Sequence, residues 1–146
     1  MALLAALAVS PPASAKDLLS LSRLLTPAYT AMNYAAVCAS DPPWAQTQPA
    51  GGRGTAVQYA QHIKDEIISG LTHEEALAVV RLAADAARAD AREHLRSSVI
   101  AGEATGKAAR LNGWCERYAN GFIGALIRNH DSDHETFLKQ VAQAKL

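Results

Sequence analysis

The chain has 146 residues, with fourteen Lys and Arg against fourteen Asp and Glu, so it is formally neutral and long enough for one domain with a buried core. Neutrality excludes the basic footprint that nucleic acid needs, and it gives no electrostatic reason to expect an anionic membrane surface as partner. No apolar run approaches the roughly 18–20 residues that span a bilayer.

In chain order, Met1–Ala15 reads as an export signal. An apolar core from Ala2 to Val9 is followed by Ser10-Pro11-Pro12 and then by Ala13-Ser14-Ala15, the small-x-small pattern that signal peptidase cuts after. The segment lacks the usual positive residue before its core. Cleavage would leave 16–146 as a single helical domain in an oxidising compartment, periplasmic or secreted. In that setting Cys38 and Cys115 are expected to form a disulfide, with two buried free thiols as the alternative. They stand too far apart for a Cys-x-x-Cys redox motif or a c-type haem attachment. Closing so long a loop constrains the unfolded chain by about 4–5 kcal/mol in the chain-entropy account.

All six prolines lie at or before Pro49, and the Ala-, Leu-, Arg- and Glu-rich remainder has no period-2 stretch, so an all-α bundle of five to six helices is predicted. The first helix is Lys16–Leu25, stopped by Thr26-Pro27, because a residue before proline avoids helical dihedrals. The second is Ala28–Ala39. Ser40–Gly54 is a breaker-rich loop, and Thr55–Ser69 is the third helix, closed by Gly70. Thr72-His73-Glu74-Glu75 is a capping box that opens the fourth, His73–Ser98. Its apolar stripe is Leu77, Val80, Ala84, Ala87, Ala91 and Leu95. The fifth, Lys107–Asn129, carries Leu111, Trp114, Cys115, Tyr118, Phe122 and Leu126 on a broad core face. Within it Gly121 and Gly124 cost roughly 1 kcal/mol each, which a close helix crossing, or else a ligand slot, would offset. Ser132-Asp133-His134-Glu135 is a second capping box. It starts a sixth helix near Asp133, unless the fifth and sixth are one kinked helix.

Three groups of residues are candidates for function. His130 and His134 stand at i, i+4 beside Asp131, Asp133 and Glu135, a spacing that places two imidazoles on one side of a helix for a divalent metal or haem. A third ligand would come from His62, His73 or His94. The alternative is a pair of solvated helix-end histidines, with His130 favoured there by the helix dipole. Trp44, presented after two prolines, is a candidate anchor for a protein partner, or it folds back onto the bundle. Arg88, Arg92 and Arg96 line a charged face of the fourth helix, read either as a solvated face or as a docking surface for an acidic partner.

Over a short stretch, Cys115-x-x-Tyr118-x-x-Gly121-Phe122 with the later His130/His134 pair resembles the small helical periplasmic immunity proteins of type VI secretion. The other cysteine lies farther away than that family would suggest. No nucleophile elbow, phosphate-cradling glycine loop or His-Glu-x-x-His helix is present. The expected function is therefore non-enzymatic: an exported binding or accessory protein acting through a protein surface, with metal or haem binding at His130/His134 as the alternative.

Overall fold

The computed structural model describes residues 15–39, 52–100 and 106–146. Their secondary structure is entirely helical, in four helices rather than five or six. Helix α1 is Leu18–Cys38, α2 is Gly52–Ile68, and α3 is His73–Leu95, prolonged by a wide π-helical segment, Arg96–Ile100. Helix α4 runs as Lys107–Gly113, a π-helical segment Trp114–Ala119, and Asn120–Ala144. Met1–Ser14, the bulk of the expected export signal, and Trp44 with residues 40–51 of its loop lie outside the described residues. The last three residues of that loop are helical instead, because α2 begins at Gly52.

The expected break at Pro27 does not occur, and α1 continues through it. Proline removes one backbone hydrogen bond and crowds the preceding turn, at a cost of about 3 kcal/mol. One continuous buried face opposes that cost: Leu21 and Leu25 precede the proline, and Ala28, Ala31, Tyr34 and Ala35 follow it. Hydroxyls bond back onto the helix around the proline. Thr26 Oγ1 donates to Ser22 O at 2.8 Å and Thr30 Oγ1 to Thr26 O at 3.0 Å, which satisfies the buried Thr30. Asp17 caps the start, its carboxylate accepting from the Ser20 amide at 2.9 Å and hydroxyl at 2.7 Å. Those two bonds hold the Asp17 carboxyl below the usual carboxylate range.

The capping box at Thr72 is formed on both sides. Thr72 Oγ1 accepts from the Glu75 amide, and Glu75 Oε2 accepts from the Thr72 amide at 2.8 Å. Lys16 Nζ reaches the same oxygen at 2.9 Å, tying the start of α1 to the start of α3. The buried stripe of α3 is Val79, Ala83, Ala87 and Ala91, turned from the expected one, with Leu77 exposed. Alanine gives a helix little preference between faces, so packing against α1 decides which side is covered.

Helix α1 is the centre, packed against α3, α2 and α4. Two clusters fix the directions. Near the disulfide, Ala31, Tyr34, Ala35 and Cys38 meet Ala56, Ala91, Trp114, Cys115, Ala119 and Ile123. At the other end, Leu21, Leu25 and Ala28 meet Ala60, Ile63, Ile67, Val79, Ala83, Val141 and Ala144. Helix α3 therefore runs alongside α1 in the same direction, while α2 and α4 run opposite. Alanines face each other along the α1–α3 seam, where small side chains let helix axes approach closely.

Of the two readings of this stretch, the single kinked helix is the one observed, and no side-chain cap forms at Ser132. Ser132 Oγ donates backward to Asn129 O at 3.2 Å, and α4 continues with a kink at Asp133, where φ is −111° and ψ 18°. Among the described residues, no close crossing of the kind expected at Gly121 and Gly124 is seen. A Cβ on Gly121 would meet nothing within 4 Å, and one on Gly124 only the end of Arg128. With nothing to offset its entropy, Gly121→Ala is expected to stabilise the fold by about 0.5–1 kcal/mol. A urea titration checks the sign, and a lower midpoint would mean that Gly121 faces something the helix alone does not show.

Candidate metal centre

The sequence places Tyr59, His62, Ile63, Glu66 and Ile67 on α2 so that two faces do two jobs. Ile63 and Ile67 are fully buried against α1. That anchorage fixes the rotation of α2 and leaves His62 and Glu66, at i, i+4, on the flank beside α4. On α4, Val141 and Phe137 pack into the same cluster and seat the segment carrying His130 and His134. The kink at Asp133 falls between these two histidines and does not separate them: their ring centroids are 4.8 Å apart.

Four side chains converge as a result. Ligand atoms of His62, Glu66, His130 and His134 all lie within 4.8 Å of one another. Glu66 is the hub. Its Oε1 is 2.5 Å from His134 Nε2 and 3.3 Å from His62 Nε2, and its Oε2 is 3.6 Å from His130 Nε2. Donor atoms on a tetrahedron with bonds near 2.0 Å stand about 3.3 Å apart, inside this span.

Burial grades the four. The His130 side chain is 8% exposed and Glu66 17%, against 41% for His134 and 61% for His62. His130 Nε2 and Glu66 Oε2 are buried with no hydrogen-bond partner, since 3.6 Å is too long for one. Among the described residues only Asn112 Oδ1 shares that condition. Unsatisfied buried polar atoms cost about 1–3 kcal/mol each, so two facing each other call for a group between them.

Burial also pushes the His130 pKa down, against the pull of the Glu66 carboxylate. A lowered pKa keeps the imidazole neutral, the form that ligates metals. The Tyr59 ring lies 5.6 Å from His130, centroid to centroid, and its hydroxyl is pushed up to about 12 by burial and by the Asp131 and Glu66 carboxylates. Phe137 flanks the other side at 5.1 Å. A pocket of about 150 Å³, lined by His62, His130, Asp131 and His134, adjoins the cluster.

Of the sites expected from sequence, His130 and His134 thus meet, and His62 joins them. His73 sits exposed in the first turn of α3. His94 belongs to an aromatic group: it stacks on Tyr118 at 4.1 Å, and its Nδ1 accepts from Trp114 Nε1 at 3.0 Å. Glu66 was not anticipated as a ligand, although its i, i+4 spacing from His62 repeats the spacing of His130 and His134. On the arginine face, Arg88 pairs with Asp85, and Arg96 pairs with Glu93 at 2.7 Å, while Arg92 is exposed. Cys38 and Cys115 are bonded to each other and fully buried. Among the described residues no helix is long and apolar enough to cross a membrane. Comparison with known proteins finds no family model, no curated protein and no solved structure that matches the chain, so its site stands on its own geometry.

Proposed function

We propose that this protein is a small metal-binding domain that holds one divalent first-row ion, zinc foremost, between His62, Glu66, His130 and His134. The observation that carries the reading is the convergence of three imidazoles and a carboxylate around two buried, unpartnered donor atoms. Three nitrogens and one oxygen suit zinc, with copper and nickel as the ions that imidazole sites also accept. The convergence of four ligand atoms within 4.8 Å supports an ion over haem, whose iron takes only axial side chains from a protein. The proposed setting is periplasmic or secreted, which the Cys38–Cys115 bond supports. The proposed role is binding, and no catalytic step is assigned. A protein-docking role gains no comparable support, since Trp44 lies outside the described residues and Arg88 and Arg96 already face acidic neighbours.

Titrating the disulfide-intact protein with Zn²⁺ against a chromophoric indicator is expected to show one saturable equivalent. The His130→Ala, His134→Ala double variant is expected to lose it, while His73→Ala keeps it. Free Zn²⁺ at 100 times Kd should add about 2.7 kcal/mol of stability to the wild type and to His73→Ala, and none to the double variant. Uptake unchanged in the double variant would remove the site, and no saturable uptake by the wild type would remove the function.

A further inference from the structure

We infer that this cluster is an exchange site, from which a divalent ion passes to a competing ligand arriving from solvent; the inference rests on the metal-binding reading above. Structural zinc sites are closed, with every ligand held in place by its surroundings. Here the cluster is two-sided. Glu66 and His130 form a buried floor, whereas His62 and His134 form a solvent-facing rim. The rim histidines are drawn from different helices, His62 from α2 and His134 from the part of α4 beyond the Asp133 kink. One can therefore swing away without moving the other.

The pocket beside the rim gives an incoming donor somewhere to stand. Its walls are the three histidines and Asp131, whose negative charge would favour a cation at this place. Exchange then proceeds by substitution. The incoming donor forms one bond to the ion as the His62 Nε2 bond breaks, and the imidazole leaves neutral. Glu66, His134 and His130 are displaced in turn in the same way, the ion keeping its charge and coordination number throughout, and any proton the chelator sheds on binding passes to solvent. His62 is the leaving ligand because it is the most exposed of the four and lies on the pocket side.

Stopped-flow transfer of Zn²⁺ from the loaded wild-type protein to 4-(2-pyridylazo)resorcinol tests this. The observed rate is expected to rise linearly with chelator over a tenfold range, as direct attack requires. His62→Ala is expected to bind Zn²⁺ at least tenfold more weakly and, when loaded at saturating ion, to transfer it with a slope at least tenfold higher. Saturable binding with a rate independent of chelator would overturn exchange by attack and leave the binding function standing. An unchanged slope in His62→Ala, or loss of uptake in that variant, would overturn the role given to His62. No uptake at all by the wild type would overturn both readings together.

Discussion

Reducing the Cys38–Cys115 bond, or replacing both cysteines with Ala, is expected to lower the melting temperature by on the order of 10 °C. The bond joins the end of α1 to the π-helical segment of α4 across 77 positions. A loop of that length restricts the unfolded chain by about 4.5 kcal/mol in the chain-entropy account, and native bonds in small secreted domains are worth about 2–5 kcal/mol. The two treatments separate the causes. Reduction leaves the sulfurs filling a fully buried site beside Ala35 and Trp114, whereas Ala at both positions also removes them and adds the cost of a cavity. The double variant is therefore expected to melt below the reduced wild type. Calorimetry with and without reductant, together with thiol counting on unreduced, denatured protein, checks both parts. Two free thiols per chain, or a shift under about 2 °C, would mean that the bond does not hold the fold.

Trp114→Ala is expected to cost about 3–5 kcal/mol, the range for deleting a large buried aromatic. Trp114 is the keystone of the tier at the disulfide end. Its ring packs edge-on to Tyr34 at 4.9 Å and stacks on Tyr118 at 5.8 Å. Tyr34 in turn packs against Phe122 at 5.3 Å, so one deletion loosens several contacts. The indole also fixes a proton. Nε1–H is a donor only, so the His94 Nδ1 that it meets at 3.0 Å accepts, and the neutral imidazole carries its hydrogen on Nε2. Trp114→Phe keeps much of the packing and loses that hydrogen bond, so its expected cost is about 1 kcal/mol more than the lost area alone. Urea midpoints for the two variants and the wild type decide the matter, and a Trp114→Phe midpoint equal to that of the wild type would show that the hydrogen bond to His94 contributes little.

What was legible in the sequence follows from what is local. The cysteine pair, the Thr72 capping box and the all-helical content each depend on residue types within a turn or on composition. Pro27 misled because the local rule against proline was applied alone. The apolar series Leu21, Leu25, Ala28, Ala31 and Ala35 crosses it at unbroken helical spacing and was the better guide. The sequence shows His130 and His134 as a pair, but Ser132 between them has the pattern of a helix start, a role its hydroxyl does not take. The other half of the centre was written in the same form, as His62 and Glu66 at i, i+4 on a polar face. What the sequence withheld was the pairing of α2 with α4, which depends on which sides of two amphipathic helices turn toward α1. The turned stripe of α3 has the same origin, since a helix so rich in alanine presents several nearly equivalent faces.

The position of α1 has a consequence for how the chain must be made. It is the first of the described helices to leave the ribosome, yet Leu21 and Leu25 share their cluster with Val141 and Ala144, at the far end of the last. At about 5–20 residues per second, the partners of that face emerge on the order of ten seconds after it. During that interval α2 and α3 already offer Ile63, Ile67, Val79 and Ala83 to this face, and only the side that α4 covers stays open. Closure of the core at this end therefore waits for the last helix, whatever has formed before it.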